Sequence, residues 1–141
     1  MSFNNIFGVA GSALGAQMIR MNASASNMAN AGSTAPSEAE AFKAKRPVFQ
    51  TMLAEQQING QQPAVGGVRV VEIAIDEAPN GKIHDPGNPN ADEDGFVYMS
   101  NVNEVTEMVE MMAAARSYQN NVEVVNTARQ LMMRTIEITK A

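Results

Sequence analysis

Residues 102–139 read VNEVTEMVEMMAAARSYQNNVEVVNTARQLMMRTIEIT, without a proline. Apolar side chains recur here in alternating steps of three and four residues, the spacing of a coiled-coil seam. The seam positions are Met108, Met111, Ala115, Tyr118, Val122, Val125, Arg129, Met132 and Ile136. Further apolar residues, such as Val105 and Val109, lie off this seam, so the apolar band is wider than one partner requires. The pattern predicts a helix roughly 57 Å long that packs against more than one neighbour.

A second helical pattern lies near the start of the chain. Its apolar face consists of Ala10, Leu14, Met18, Met21, Ala25 and Met28. The other positions carry mostly Ser, Asn, Gln and Ala, and Arg20 is the only charged side chain in residues 1–35. A helix exposed to water usually carries Lys and Glu on its outer side. This neutral helix is therefore expected to lie among other helices.

The middle of the chain differs from both ends. All six prolines fall between residues 36 and 89, and residues 36–98 hold ten acidic and five basic residues, which accounts for the whole net charge of −5. We therefore divide the chain into an N-terminal helix (1–34), a loop-rich insert with a small β element (35–98) and a C-terminal helix (99–141). The expected fold is mainly α, with the two terminal helices paired as a coiled coil and a β-hairpin in the insert.

Within the insert, residues 68–75 alternate as a strand. The alternation holds at Val68 and Val70 and resumes one residue out of phase at Val71, which predicts a β-bulge. Asn80-Gly81 is a two-residue turn signal, so residues 82–84 are predicted as the return strand of a hairpin. Residues 31–41 and 55–66, rich in small and polar side chains, are predicted to be mobile loops.

Composition excludes most kinds of chemistry. The chain has no cysteine and a single histidine, His84, so disulfides, thiol catalysis, the usual zinc sites and a His-paired metal site are excluded. The acidic balance argues against nucleic-acid binding, and no apolar run is long enough to span a bilayer. Residues 90–101 resemble half of a calcium loop, but Asn101 stands where a bidentate Glu is needed. We expect no enzyme activity, cofactor or metal.

Two motifs at opposite ends of the chain resemble a known family. Residues 25–31 (ASNMANA) are similar to the N-terminal motif of bacterial flagellar axial proteins, whereas residues 95–103 (GFVYMSNVN) and 115–121 (ARSYQNN) resemble FlgC-type basal-body rod proteins. Residues 85–89 (DPGNP) resemble that type as well. The Thr-x-Gly-Tyr continuation of distal-rod and hook relatives is missing after Asn30, which favours a proximal-rod subunit.

The resemblance implies a structural subunit of the proximal rod, the drive shaft that carries torque from the motor ring to the distal rod and hook. It further implies export by the flagellar type III apparatus without a cleaved signal peptide, and a place in the periplasmic part of the basal body. The expected partners are further copies, other proximal and distal rod proteins, the protein joining rod to membrane ring, and the export apparatus, with no nucleic acid and no membrane insertion. The expected assembly interface comprises both apolar faces, except Ala10, together with Asn27 and Asn30.

Two questions stay open at the level of sequence. No acidic residue precedes Glu38, so Arg129 has no partner in the N-terminal helix and must face a neighbouring subunit, the insert or solvent. A soluble helical adaptor with a β insert is the alternative function, and it predicts ordered helices in the isolated monomer. An amphipathic helix that lies on a membrane surface would need a basic polar face, which the N-terminal segment lacks.

Overall fold

The computed structural model describes residues 3–52 and 66–140. A long helix stands at each end of the described chain, α1 (Phe3–Ala29) and α2 (Glu104–Lys140). The strands between them are β1 (Thr34–Ala35), β2 (Lys45–Met52), β3 (Gly67–Ile75), β4 (Lys82–His84) and β5 (Phe96–Met99). The predicted fold class is thus confirmed in its main features, namely two long terminal helices and a small β insert.

Local chemistry explains where α2 begins. Asn103 precedes the helix, and its Oδ1 accepts a hydrogen bond from the backbone N of Thr106 at 3.0 Å, as an N-cap does. Glu104 and Glu107 lie in the first turn, where the positive end of the helix dipole favours acidic side chains. The helix then runs for 37 residues without a breaker, against 27 residues for α1.

The two helices pack against each other in antiparallel directions. Near the end of α1, Asn27 reaches Glu107 at the start of α2, whereas Ile6 at the start of α1 lies beside Ala128. Small side chains are buried along both helices: Ala10, Ala16, Ala23 and Ser24 on α1, and Ala114 and Ala128 on α2. Such residues allow close approach of the two backbones. Because α2 is longer, its last turns extend past the start of α1.

Strands β2 and β3 form an antiparallel two-stranded sheet along α1. Lys45 at one end of β2 is bonded to Asn27, and Val68 near the other end of the sheet donates its backbone N to Ser12 Oγ at 3.2 Å. Val48 pairs with Glu72 and Phe49 pairs with Val70, so Val71 is left over. The predicted β-bulge is confirmed, with Val71 as its extra residue.

The predicted hairpin at Asn80-Gly81 is wrong. Strand β3 pairs only with β2, whereas β4 pairs with β5 in a second sheet of order β1-β5-β4. A type I′ hairpin turn needs positive φ at both central residues, and Gly95 is the only described residue with positive φ. The side chain of Asn80 is instead buried and bonded to Phe42 O and Met99 O, which holds the segment between the two sheets.

The predicted loops have different outcomes. Residues 31–41 are not simply a loop, because Thr34 and Ala35 form β1 and pair with β5. Ala31, Ala35 and Ala41 are buried, which fixes the segment against the rest of the chain. Residues 55–65 lie outside the described residues, and only Gly66 of the second predicted loop is described.

Candidate assembly interface

A buried polar cluster joins the end of α1, the start of β2 and the first turn of α2. Asn27 and Glu107 are both 0% exposed. The Nδ2 of Asn27 donates to Lys45 O at 3.0 Å and to Glu107 Oε2 at 3.1 Å, and its Oδ1 accepts from Lys45 N at 2.8 Å. One asparagine therefore ties three segments together, and we call Asn27, Arg46, Asp76 and Glu107 the polar clamp.

Arg46 balances the buried charge of the polar clamp. Its Nη1 donates to Glu107 Oε1 at 2.6 Å, and its Nε lies 3.6 Å from Asp76 Oδ2. The Arg46 side chain keeps 41% exposure, so water still reaches the guanidinium while the carboxylate of Glu107 is wholly enclosed. An enclosed carboxylate is tolerated only when it is paired and hydrogen-bonded, and Glu107 meets both conditions.

A second set of asparagine contacts closes the junction between the insert and α2. Asn101 Oδ1 accepts from Ala44 N at 2.7 Å, and its Nδ2 donates to Asp76 O and Ala78 O at 3.1 and 2.9 Å. Ser100 Oγ donates to Ala31 O at 2.5 Å. Part of the GFVYMSNVN motif therefore serves to attach the start of α2 to the end of α1 and to the insert.

In the polar loop before β5, the carboxylate of Asp92 accepts hydrogen bonds from the backbone of the same loop. Asp92 Oδ1 accepts from the backbone N of Asp94 and Phe96 at 3.0 and 2.7 Å, which holds the turn. His84 packs edge-on against Phe96 with ring centroids 4.9 Å apart. In residues 3–52 and 66–140 no cluster of three or more His, Asp or Glu side chains is arranged to hold a metal ion.

The residues predicted for assembly occupy three kinds of position. Asn27 is buried in the polar clamp. Half-buried positions are Leu14, Met21, Met28, Asn30, Met111, Ala115, Tyr118 and Val125. Exposed positions are Met18, Ala25, Met108, Val122, Arg129, Met132 and Ile136. Arg129 makes no ion pair with any residue that the structure describes.

The most buried face of α2 is offset from part of the predicted seam. Glu107, Ala114 and Ala128 are buried, each one residue before a predicted position. Two of these sites hold alanine and the third holds Glu107 of the polar clamp, because the helices approach closely there. The larger apolar side chains of the predicted seam lie next to these sites or on the exposed side of α2. Sequence reasoning missed Glu107, Asn80 and Asn101 as contact residues. The sequence feature that could have indicated Asn80 and Asn101 is the frequency of asparagine in the segments next to both helices.

Large apolar side chains remain uncovered along α2. Val105, Met108, Val109 and Met112 form one exposed strip at the start of the helix. From residue 129 to residue 139 every side chain is exposed, including Leu131, Met133 and Ile138. An open apolar groove of about 390 Å³ runs between Ile6 and the α2 residues Val124, Ala128 and Leu131. Contiguous exposed apolar surface is typical of the places where proteins interact with one another.

The helices themselves give no sign of a membrane span. Within residues 3–52 and 66–140, neither helix is apolar enough over a sufficient length to cross a bilayer.

Comparison with known proteins identifies the family. Residues 93–138 match the family model described as the C-terminal region of the flagellar basal-body rod FlgEFG proteins. The flagellar basal-body rod protein FlgC of Yersinia enterocolitica is 50% identical over 138 residues, which is 98% of each chain. The FlgC proteins of Salmonella typhimurium and Aquifex aeolicus are 45% and 39% identical, over 98% and 99% of each chain. The chain therefore belongs to the FlgC family of flagellar basal-body rod proteins, structural proteins of the bacterial flagellum.

Proposed function

We propose that this chain is a subunit of the proximal rod and that it transmits torque from the motor ring towards the distal rod and hook. The observation that carries the proposal is the exposed apolar surface along α2, with Val105, Met112 and Ile138 among its most exposed members. A subunit that worked alone would leave this surface in water at a cost in solubility. In a rod, neighbouring subunits would cover it.

We infer that the two helices form an antiparallel coiled coil that supplies the core of each subunit in the rod. The residues of α2 that are buried or half-buried include Glu107, Met111, Ala114, Tyr118 and Val125, which follow steps of four, three, four and seven residues. This spacing supports a heptad seam toward α1. The exposed residues between them then face other subunits.

Torque requires a subunit that does not deform under load. The polar clamp supports this role, because it fastens the insert to both helices through buried or partly buried bonds of 2.6–3.1 Å. Contacts between different surfaces of identical or similar subunits generate helical assemblies when the rotation from one subunit to the next does not close a ring. Many apolar contacts, each worth about 25 cal/mol per Å² of buried area, would make such a shaft stiff.

Assembly would follow export of the unfolded chain through the flagellar type III apparatus. The proposed neighbours are further copies of this chain, other proximal and distal rod proteins, and the protein that joins the rod to the membrane ring. The lack of cysteine suits passage into an oxidising compartment. The rod would lie in the periplasmic part of the basal body.

The test is a pair of charge substitutions on the two predicted apolar faces, Met21→Asp and Val122→Asp, made in cells that depend on this chain for motility. Burying an unpaired carboxylate in a packed interface costs several kcal/mol, so we expect secretion to continue while rods fail to grow. Val122→Thr and Met21→Leu are the matched controls, because they keep size without adding charge, and both should support motility. Normal motility in either Asp variant would contradict the proposed packing.

A further inference from the structure

The dipeptide Asn80-Gly81 does not form the hairpin turn that its sequence suggests. Strand β3 does not pair with β4, and Gly81 does not have positive φ. A Cβ added at Gly81 would meet no heavy atom within 4 Å. Neither the backbone conformation nor the packing therefore requires glycine at this position. The glycine matters instead for the chemistry of the asparagine that precedes it.

Asparagine is thermally labile, and it loses its side-chain amide most readily when glycine follows it. Glycine has no side chain to hinder its own nitrogen, and its backbone freedom brings that nitrogen to the amide carbon. The sequence holds two such dipeptides, Asn59-Gly60 and Asn80-Gly81. The first lies outside the described residues, whereas the surroundings of the second are defined by the fold.

We propose that Asn80-Gly81 is a deamidation site of the unfolded chain, that folding in the rod protects it, and that a chain deamidated there no longer enters the rod. This inference rests on the proposed function, in which the chain is exported unfolded before it assembles. It needs no ordered helix in the unassembled chain. In the unfolded state the backbone around Asn80 is free to reach the reactive conformation.

The reaction needs only water as a co-reactant. The backbone nitrogen of Gly81 loses its proton and attacks Cγ of Asn80. An N–C bond forms, the bond from Cγ to Nδ2 breaks, and Nδ2 takes up a proton and leaves as ammonia, so that a succinimide ring remains. Water then opens the ring at either carbonyl and yields aspartate or isoaspartate at position 80. No electrons are gained or lost.

The fold opposes this reaction at each step. Asn80 is only 9% exposed, so little water reaches its amide. Its Nδ2 donates to Phe42 O at 3.0 Å and to Met99 O at 2.8 Å, and Gly81 O accepts from Met99 N at 2.8 Å. These bonds must break before the Gly81 nitrogen can reach Cγ. The attack also places negative charge on Oδ1, to which no described residue donates a hydrogen bond.

Either product is incompatible with these surroundings. A carboxylate at position 80 only accepts hydrogen bonds, so it would face Phe42 O and Met99 O without a donor. Burying such an unpaired charge is strongly unfavourable. Isoaspartate adds a carbon to the backbone directly before Gly81, which would move Gly81 O away from Met99 N. The segment between the two sheets could then not adopt its folded conformation.

The first measurement compares the unfolded chain with the assembled one. Purified full-length chain in guanidinium chloride and isolated basal bodies are incubated at the same pH and temperature, and peptide mass spectrometry follows the conversion of asparagine. In the unfolded chain, Asn80 and Asn59 should convert at similar rates. In the basal bodies, Asn80 should convert more than about tenfold more slowly, because two hydrogen bonds of its amide must break first. Equal rates for Asn80 in the two samples, or a rate far below that of Asn59 in the unfolded chain, would overturn the proposal.

The second measurement introduces the product of the reaction by substitution. Asn80→Asp should continue to be secreted, while its amount in isolated basal bodies should fall about tenfold or more, as burial of an unpaired carboxylate implies. Asn90→Asp is the matched control, because Asn90 also donates to a backbone carbonyl, Thr34 O at 3.1 Å, but is exposed to water. It should assemble as the unsubstituted chain does. Equal incorporation of the two variants would overturn the proposal.

Gly81→Ala separates the chemistry from the fold. The fold has room for the added methyl group, so this variant should assemble normally. In guanidinium chloride its Asn80 should convert several times more slowly, because the new side chain hinders the attacking nitrogen. Conversion at the original rate, or failure of this variant to assemble, would overturn the proposal.

The result for Val122→Asp distinguishes this inference from the proposed function. If Val122→Asp blocks rod growth while Asn80→Asp assembles normally, this inference fails and the proposed function stands. If Val122→Asp assembles normally, the proposed function fails, and the rates of conversion at Asn80 still decide whether the fold protects this site.

Discussion

The polar clamp predicts an asymmetry between the two members of one ion pair. Glu107 is 0% exposed, whereas the Arg46 side chain is 41% exposed. Arg46→Ala would leave an enclosed carboxylate with only Asn27 as a donor, and removal of one partner from a buried pair costs about 3–5 kcal/mol. Glu107→Gln removes the charge but keeps the shape and the bond from Asn27, while Arg46 can turn to water or to Asp76. That change should cost only about 1–2 kcal/mol, the range for a lost hydrogen bond.

The double variant Arg46→Ala/Glu107→Gln separates the electrostatic term from simple loss of contacts. The neutral amide no longer needs a cation, so the double variant should be more stable than Arg46→Ala alone by about 1–3 kcal/mol, within the range measured for coupled neighbours. Urea unfolding followed by circular dichroism at a fixed protein concentration gives each free energy of unfolding. If the losses of the single variants add in the double variant, the carboxylate is not stabilised by Arg46 and the reasoning is refuted.

Three further predictions concern packing at single positions, each measured as a change in the free energy of unfolding. Gly95→Ala should destabilise by about 1 kcal/mol or more, because the residue has φ +77° and an added Cβ would stand 3.1 Å from a proline Cβ; Gly87→Ala, at negative φ, is the control and should be nearly neutral. Ala114→Leu should cost about 1–3 kcal/mol by overpacking a site with 0% exposure, whereas Ala113→Leu on the exposed side of α2 should cost less than about 0.5 kcal/mol. Asn101→Ala should cost about 1–3 kcal/mol, because each of its three backbone partners loses a hydrogen bond. A loss smaller than that of the Ala113→Leu control would contradict the role of Asn101 in joining the insert to α2.

The helices were predictable from the sequence because their signals are local. The absence of proline from both ends and the apolar spacing of α2 indicate long helices before any contact is known. The β-bulge at Val71 was predictable for the same reason, since a change of phase in the alternation is visible along one strand. These signals depend on neighbours a few residues apart, which the sequence presents directly.

The pairing of strands and the polar clamp were not predictable in the same way. Asn80-Gly81 looks like a hairpin turn locally, yet the side chain of Asn80 is bonded to carbonyl groups 38 and 19 residues away. In the sequence, Glu107 is an ordinary acidic residue of a first helical turn. It is buried because Asn27 and Arg46, which are distant along the chain, pack against it in the fold. Such contacts depend on the topology of the fold, so a periodic pattern in the sequence cannot predict them.

Enclosure of Glu107 also determines how α1 and α2 can slide past one another. Buried alanines lie on both helices, and alanine surfaces alone would tolerate a shift along the axis. Two polar contacts between the helices oppose such a shift, namely the ion pair of Arg20 with Glu110 and the polar clamp. A shift by one helical turn, about 5.4 Å, would carry the Glu107 carboxylate away from both Asn27 and Arg46, whose positions depend on α1 and β2. The carboxylate would then be buried without a partner or would have to leave the interface, and either change is strongly unfavourable. A buried polar contact can specify helix register in this manner even where it adds little net stability. The polar clamp therefore fixes the position of the exposed apolar residues of α2 along the axis of α1.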